Sequence, residues 1–165
     1  MDFQEHKVKK IKHSPEAAYH KIQNWCAYQE RSQNETRLKL LSYGLTADEA
    51  DELISKLIVE NFLNEERFSK ALVSGKFRIK HWGKTKIRME LKKHKVSDYC
   101  ITKALTIIDP DEYVATLQLL IEKKLLGKGS GDRRKDFYIL LKYLVSRGFE
   151  QDLTINYLNL ALEKK

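Results

Sequence analysis

The chain has 165 residues, 42% of them hydrophobic, and its 31 Lys and Arg outnumber its 23 Asp and Glu to give a net charge of +8. This length suits one domain or a few small repeats with a shared core, and no apolar run approaches the roughly 18 residues of a membrane-spanning helix. The charged N-terminus lacks the apolar segment of a secretory signal, and the isolated Cys26 and Cys100 argue against a disulfide framework or a zinc site. We therefore expect a folded cytoplasmic protein without membrane segments, cofactor or metal.

Capping signals divide the first half of the chain into three predicted helices. Ser14, with Pro15 at the first helical position, begins the first helix. The second begins near Ser32 and ends at Gly44, and a capping box at 46–49 begins the third. The residues expected on the buried faces of these helices are Ala18, Ile22, Trp25, Cys26, Leu38, Leu40, Leu41, Leu53, Leu57 and Ile58.

The second half of the chain predicts six more helices, because caps, helix-favouring residues and apolar periodicity recur throughout it. These helices are expected at 64–81, 84–94, 97–105, 109–124, 137–147 and 151–163. The dipeptide Trp82-Gly83 interrupts the pattern after the first of them, and three of the seven glycines lie in a predicted flexible loop at 125–136. No segment alternates with a period of two over the length of a strand, so we predict an all-α fold.

A short pattern recurs three times: a leucine, a turn position four residues later, and an apolar residue directly after it. The copies begin at Leu40, Leu91 and Leu144, which are 51 and 53 residues apart. The apolar residues that close each copy, and those nine positions further on, are Leu45, Val96, Phe149, Ile54, Leu105 and Leu158. A period near 50 residues suits a three-helix unit, and such units stack because none buries its apolar faces alone. Chance matching among leucine-rich helices is the alternative.

This repeat sets the predicted organisation of the chain. We expect a flexible basic N-terminal arm at 1–13, followed by three-helix repeats at 14–62, 63–108 and 109–163. The loop at 125–136 falls inside the third repeat. The predicted fold is therefore three tandem repeats stacked into an elongated, curved array of either hand.

The excess positive charge is concentrated between residues 76 and 95. This stretch has nine Lys and Arg against one acid, whereas the other 145 residues hold 22 basic and 22 acidic side chains. Clustered cations displace counterions from a phosphate backbone without any catalytic geometry, so nucleic acid is the leading candidate partner. The predicted binding residues here are Lys76, Arg78, Lys80, Trp82, Lys84, Lys86, Arg88, Lys92, Lys93 and Lys95.

Helical geometry orders part of this stretch into a stripe beside the apolar seam of Ile87 and Leu91. At 100° per residue, four cations fall within a sector of about 80°. They are Lys84, Arg88, Lys92 and Lys95. We expect a rigid binding stripe, with a solvated helix face as the alternative. Trp82 could stack on an unpaired base, but beside a glycine at a helix junction we expect it to pack into the core.

A second group of cations lies in the predicted loop and comprises Lys128, Arg133, Arg134 and Lys135. This group either extends the predicted binding surface or belongs to a plain linker, since its glycines do not follow the phosphate-binding loop pattern. No nucleophile is paired recognisably with a base, and His6, His13 and His20 do not share one helix. We therefore predict no enzyme activity, no catalytic residue and no metal site.

Four sequence motifs resemble those of the RecX family of bacterial regulatory proteins, which modulate the RecA recombinase. They are Arg31-Ser32-x-x-Glu35, Leu63-Asn64-Glu65-x-x-Phe68-Ser69-x-Ala71, Trp82-Gly83-x-x-x-Ile87-x-x-Glu90-Leu91 and Arg147-Gly148-Phe149. The resemblance covers about residues 17–160. It implies a curved stack of three-helix repeats that binds RecA filaments, and DNA more weakly, and so limits filament growth and activity.

One position departs from the family pattern. Where the family has Lys-Gly followed by a hydrophobic residue, this chain has His94-Lys95-Val96. Glycine is the least strained residue for a left-handed helix cap. We therefore expect the turn at Lys95 to be built differently.

The charge and the resemblance together predict a non-enzymatic regulator that acts as a monomer in DNA repair, recombination and the SOS response. Its expected partners are the RecA filament and single- and double-stranded DNA, and the expected effect is inhibition. Two other functions fit the residues alone. One is a general helical nucleic-acid-binding protein without a recombinase partner, and the other is a protein-binding scaffold whose stripe docks on acidic surfaces.

Overall fold

A computed structural model describes residues 12–127 and 130–163 of the chain. The described residues form nine α-helices and no strand, so the predicted all-α class is confirmed. None of these helices is long and apolar enough to cross a membrane. In chain order the helices are α1 (Pro15–Tyr28), α2 (Gln33–Ser42), α3 (Ala47–Val59), α4 (Glu65–Arg78), α5 (Lys84–Lys93), α6 (Asp98–Leu105), α7 (Pro110–Leu126), α8 (Arg133–Ser146) and α9 (Gln151–Glu163).

The chain divides into two compact units, Met1–Phe68 and Ser69–Lys165, with the boundary inside α4. In the first unit, α1, α2 and α3 pack around an apolar core. The capping box predicted at 46–49 is present, and Ser32 and Glu35 form a second one at the start of α2. In both, the Ser32 or Thr46 side chain accepts the backbone N–H of the third helical residue, whose Glu side chain bonds back. These reciprocal bonds satisfy donors that a helix start otherwise leaves unpaired, which explains where α2 and α3 begin.

The predicted buried faces of the first unit are right except at two positions. Leu38 is 60% exposed, because it lies on the opposite side of α2 from the buried residues Thr36 and Leu40. Ile58 is 42% exposed, because it follows the buried Leu57 and is rotated by about 100° from it. The residues that are only partly buried against this core include Trp25, Leu41 and Leu53.

The described end of the predicted N-terminal arm lies against the turn between α2 and α3. The backbone N–H of His13 donates to the carbonyl of Tyr43 at 3.0 Å. The two rings meet edge to face with their centroids 5.3 Å apart. The predicted flexible arm therefore includes a residue that is held in place, and its residues 1–11 lie outside the described part of the chain.

The second unit contains α5 to α9 and most of α4. Its fully buried side chains include Ile87, Leu91, Ile101, Leu117, Leu144 and Leu158. The nine apolar residues of the recurring sequence pattern, in both units, are all at most 9% exposed. The pattern recurs because each copy supplies equivalent buried residues: a leucine near the end of one helix, an apolar residue after the turn, and another in the next helix.

The predicted loop at 125–136 is shorter in the structure. The helix α7 continues to Leu126, and α8 begins at Arg133, four residues before its predicted start. The reason is Asp132, whose carboxylate accepts the backbone N–H groups of Arg134 at 2.9 Å and Lys135 at 3.2 Å. An aspartate in this position is a strong helix start, and the surrounding glycines obscure it in the sequence.

The turn after α5 keeps the left-handed geometry even without the glycine, so the expectation of a different turn is wrong. Lys95 has a φ of 57°, and its counterparts Gly44 and Gly148 have φ values of 90° and 95°. The N–H of Val96 donates to the carbonyl of Leu91 at 3.2 Å, which is the bond that closes this type of helix end. The buried Val96 side chain holds the turn in place despite the strain at Lys95.

This strain predicts that Lys95→Gly stabilises the protein. A non-glycine residue in the left-handed region costs about 1 to 2 kcal/mol of strain, which glycine relieves. Glycine also gives the unfolded chain more conformational entropy, and this offsets part of the gain. We expect a gain of about 1 kcal/mol in the free energy of unfolding, measured by urea denaturation. Lys95→Ala removes the same charge but keeps the strained Cβ, and it should give no such gain. Equal stabilities for the two variants would show that the turn is unstrained.

Candidate nucleic-acid interface

The predicted cations of residues 76–95 all lie in the second unit, and all are at least partly exposed. We use the name basic surface for Lys76, Arg78, Lys80, Trp82, Lys84, Lys86, Arg88, Lys92, Lys93 and Lys95. Two of these cations are in the last turn of α4, and most of the others are on α5. Since Ile87 and Leu91 on the inner face of α5 are fully buried, the exposed Arg88 and Lys92 stand on a fixed helix, as predicted.

The start of α5 is held by groups from other helices. Gly83 occupies the cap position and offers no side chain to bond the first N–H groups of the helix. Instead, the N–H of Lys84 donates to the hydroxyl of Tyr113 at 3.0 Å, and the N–H of Thr85 donates to the carbonyl of Gly148 at 3.0 Å. Donors that every helix start leaves unpaired are thus used to attach the basic surface to α7 and to the turn between α8 and α9.

Tyr113 is the buried support beneath this helix start. Its side chain is 3% exposed, and its hydroxyl donates to a Glu150 carboxylate oxygen at 2.6 Å. Burial, followed by the hydrogen bond to Glu150, raises the pKa of Tyr113, so the hydroxyl stays protonated and remains a donor. The Lys84 ammonium lies 4.7 Å from the centre of the Tyr113 ring, where the ring face attracts a cation.

Gly83 and Gly148 interlock at the same place. The N–H of Gly83 donates to the carbonyl of Arg147 at 2.8 Å. A Cβ added to Gly83 would overlap the carbonyl group of Gly148, and one added to Gly148 would lie 2.6 Å from the backbone nitrogen of Lys86. The Arg147 guanidinium donates to the carbonyls of Lys80 and His81, the second at 3.4 Å. Only glycine allows these two backbones to approach this closely.

Acidic side chains from outside the stretch neutralise part of the basic surface. Glu112 on α7 lies 3.7 Å from Arg78, and Asp98 at the start of α6 lies 3.7 Å from Lys92. Within the stretch, Glu90 pairs with two lysines, at 3.9 Å from Lys76 and 3.4 Å from Lys93. Four of the nine cations therefore have a carboxylate partner, and among these four only Lys92 belongs to the predicted stripe.

Five other cations of the basic surface have no carboxylate partner in the part of the chain that the structure describes. They are Lys80, Lys84, Lys86, Arg88 and Lys95. The pairs formed by the other four cations are partly exposed, and such pairs contribute little to stability. A phosphate can therefore compete for most of the surface without breaking a strong internal ion pair.

Trp82 is half-buried and does not join the core, contrary to the prediction. The ammonium groups of Lys76 and Lys86 each lie 4.5 Å from the centre of its ring. The Lys86 ammonium also donates to the carbonyl of Ser146 at 3.4 Å. Trp82 therefore positions two lysines through cation-π contacts rather than offering a free ring for stacking.

A groove with a volume of about 590 Å³ lies beside the stripe, between α5, the end of α6 and the start of α7. Lys84, Thr85 and Arg88 line it from α5, and Thr102 and the helix cap Thr106 line it from α6. Glu150, whose carboxylate accepts the Tyr113 hydroxyl, lines it from the turn before α9. Cationic groups and hydroxyls are the side chains that most often contact phosphate oxygens in nucleic-acid complexes. Lys84, Arg88 and the two threonines thus offer suitable partners for a phosphate in this groove.

Comparison with known proteins relates this arrangement to a family. A family model described as RecX, second three-helix domain, matches residues 64–105, which span α4 to α6. The Regulatory protein RecX of Geobacillus sp. (strain WCH70) is 27% identical over 155 residues, which are 93% of this chain and 57% of that relative. That of Clostridium perfringens (strain 13 / Type A) is 30% identical over 124 residues, covering 74% of this chain and 58% of the relative. The chain belongs to the RecX family.

The fold agrees with this membership. The crystal structure of RecX from Lactobacillus salivarius superimposes with a TM-score of 0.80 at 23% identity, covering 92% of this chain and 97% of that one. A likeness at this identity concerns the fold alone. The chain spans a little over half the length of the first two RecX relatives, 57% and 58%.

The motifs that resemble RecX have structural roles in this chain. Ser32 forms a capping box for α2, and the Asn64 side chain accepts the backbone N–H of Arg67 at 2.9 Å to begin α4. The glycines of Trp82-Gly83 and Arg147-Gly148 form the interlock described above. RecX-like residues thus fix how helices begin and meet, while the exposed cations lie between them.

The second group of predicted site cations is not part of the basic surface. Lys128 lies outside the described residues. The exposed Arg133, Arg134 and Lys135 form the first turn of α8, whereas Lys86 contacts Ser146 at the other end of this helix. With a rise of 1.5 Å per residue, the two places are roughly 20 Å apart. The structure therefore brings nine of the predicted cations into one region and separates these three from it.

Sequence reasoning missed two kinds of site residue. Tyr113 could have been found, because it shares a face of α7 with the buried Leu117, Leu120 and Ile121 at helical spacing. The acids that pair with Arg78 and Lys92 come from later helices, and no local signal marks them. Among the described residues, no group of three or more His, Cys, Asp or Glu side chains could hold a metal ion.

Proposed function

We propose that this chain is a non-enzymatic regulator that binds a RecA-type recombinase filament together with the phosphates of single- and double-stranded DNA, and that it inhibits the recombinase. The observation that carries this proposal is the set of five cations without a carboxylate partner in the described residues, three of which stand on a helix fixed by Tyr113 and the Gly83–Gly148 interlock. The name Regulatory protein RecX, borne by the relatives, supports the regulatory role.

In the proposed mechanism, Lys84, Arg88 and Lys92 contact the DNA backbone or an acidic surface in the groove of the filament. Each phosphate contact releases condensed counterions, which favours binding and makes it sensitive to salt. The repeats proposed at 14–62 and 109–163 bridge neighbouring recombinase subunits. A cytoplasmic monomer with this action restrains filaments during DNA repair, recombination and the SOS response.

The recombinase ATPase on single-stranded DNA tests the proposed function. We expect the protein to lower the steady-state rate of ATP hydrolysis when it is added to preformed filaments. The reason is that a ligand bound along the filament limits subunit turnover and growth. An unchanged rate at saturating protein contradicts the proposal.

A general nucleic-acid-binding protein is the second candidate, because a groove lined by cations and threonines needs no recombinase to hold a phosphate. The amount of protein needed for inhibition separates the two. A filament-binding regulator inhibits with most of the DNA uncovered, and excess free single-stranded DNA restores little ATPase. A general binder inhibits only by covering the DNA, so added DNA restores the full rate.

A further inference from the structure

A second groove, remote from the basic surface, lies between the start of α8 and the end of α9. It is lined by Arg133, Arg134, Phe137, Tyr138, Asn159 and Leu162, together with the helix cap Asp132. We propose that this groove binds an unpaired base of single-stranded nucleic acid, with the base stacked on Tyr138 and the adjoining phosphate held by the two arginines.

The aromatic side chains provide the stacking surface. Tyr138 is 63% exposed, on a helix that buries Leu140 and Leu144 on its other side. The half-buried Phe137 lies beside it, with ring centroids 5.6 Å apart and an angle of 87° between the ring planes. This edge-to-face contact is a favoured aromatic arrangement and supports the Tyr138 ring on one side. An exposed, supported ring stacks on any base, since every base has a π-face.

The arginines provide charge at the correct spacing. Arg134 is four residues before Tyr138, and Arg133 is four residues before Phe137, so each arginine lies one helical turn from a ring on the same face. Both are exposed, and neither has an ion pair in the described part of the chain. The acid that lines the groove, Asp132, accepts the backbone N–H groups of Arg134 and Lys135.

The opposite wall of the groove comes from α9. Leu162 is buried at the floor, and the exposed Asn159 stands beside the groove with a side-chain amide that can both donate and accept hydrogen bonds. Bases carry donors and acceptors on their edges, and in single strands these edges are free. An apolar floor, an aromatic ring and a neutral amide suit a base better than they suit a phosphate. The two arginines suit the phosphate next to that base.

This inference rests on the proposed function in one respect, the choice of nucleic acid as the ligand. Its residues lie at the far end of α8 from the contact of Lys86 with Ser146. The two sites can therefore be tested, and can fail, separately.

Fluorescence anisotropy with two single strands tests the proposal on the full chain. One probe is a labelled oligothymidine of about 12 nucleotides, a length within the range of known single-strand binding sites. The other is an abasic deoxyribose-phosphate strand of equal length and charge. We expect Tyr138→Ala to weaken oligothymidine binding about tenfold, as the loss of one stacked base does, and to leave abasic-strand binding unchanged.

Two further variants make the result specific. Tyr138→Phe keeps the ring, so it should bind both strands as the unaltered protein does. The double replacement Arg133→Glu with Arg134→Glu should weaken binding of both strands, because the phosphates are common to them. Since Tyr138 is exposed, its replacement leaves the melting temperature nearly unchanged, which circular dichroism verifies.

Several outcomes overturn the base-binding site. They are equal losses on both strands with Tyr138→Ala, no loss on either strand, and a loss of binding to recombinase filaments with oligothymidine binding intact. The last result would make the groove a protein-docking surface. If the unaltered protein inhibits the recombinase ATPase while Tyr138→Ala binds both strands as the unaltered protein does, this inference fails and the proposed function stands. If Tyr138→Ala weakens only oligothymidine binding, and the unaltered protein does not inhibit the recombinase ATPase, the inference stands and the proposed function fails.

Discussion

Gly83→Ala is expected to lower the free energy of unfolding by about 3 kcal/mol or more, the range of substitutions that force a steric clash in a packed contact. Gly83 has a φ of −75° and a ψ of 163°, which alanine adopts freely, so the cost is not backbone strain. The added Cβ overlaps the carbonyl of Gly148 and approaches the backbone nitrogen of Phe149. Backbone atoms cannot rotate away as a side chain does, so the start of α5 must separate from the turn before α9.

Separation also breaks the two hydrogen bonds that cross this contact. The N–H of Gly83 loses the carbonyl of Arg147, and the N–H of Thr85 loses the carbonyl of Gly148. Each costs about 1 kcal/mol, and more if the group stays buried without a partner. Urea denaturation followed by circular dichroism measures the total.

Gly75→Ala is the matched control for this prediction. Gly75 is also in the second unit, inside α4, and nothing lies within 4 Å of a Cβ added there. Alanine in a helix interior is more stable than glycine by roughly 0.5 to 1 kcal/mol. The two glycine-to-alanine changes are thus expected to have opposite signs. A Gly83→Ala protein as stable as Gly75→Ala would show that α5 and the α8–α9 turn do not interlock.

The combined replacement of Lys84, Arg88 and Lys92 by glutamate is expected to abolish binding of duplex DNA at physiological salt and to weaken binding of single-stranded DNA at the basic surface. Three contacts to phosphate contribute a salt slope of roughly 0.7 to 0.9 each, and reversing the charges turns attraction into repulsion. All three side chains are at least partly exposed, and the backbone N–H of position 84 still reaches Tyr113. The helical signal should therefore be kept, with only a small change in melting temperature. The measurement is a titration of duplex and single-stranded DNA at several salt concentrations.

The control for net charge is the same triple replacement at Lys103, Lys123 and Lys142. These lysines are exposed, lie in the second unit and are outside the basic surface. Both triple variants change the net charge from +8 to +2, because each replacement removes one positive charge and adds one negative charge. We expect the control to bind DNA with a modest loss and with most of its salt slope retained. Equal losses in the two variants would mean that overall charge, and not the basic surface, governs binding.

The helices and their repeats could be predicted because their signals are local. Ser32 and Thr46 bond to residues three positions away, and the pattern that begins at Leu91 places its core residues within two neighbouring helices. Where the local signal is weak, the prediction fails. The start of α8 was predicted four residues too late, because a single aspartate cap among glycines is less conspicuous than the apolar run after it. Short-range hydrogen bonding and periodicity thus account for most of the fold.

The site was only partly predictable, because its contacts join residues far apart in the sequence. The charge of α5 and the buried position of Ile87 follow from composition and periodicity. The contact of Gly83 with Gly148 spans more than sixty positions, and no local pattern reports it. Trp82 was assigned to the core because large rings beside glycines usually pack there, but two lysines cover its ring instead. Cation-π contacts of this kind depend on the meeting of α4 and α5, which a single sequence does not reveal.

Co-sedimentation with recombinase filaments is the most direct measurement of what the basic surface does. Filaments assembled on single-stranded DNA are pelleted with the unaltered protein, with the Lys84, Arg88 and Lys92 triple glutamate variant, and with the Lys103, Lys123 and Lys142 control. We predict that the unaltered protein and the control pellet with the filaments while the basic-surface variant stays in the supernatant. If the basic-surface variant pellets as fully as the unaltered protein, these three residues do not form the binding site.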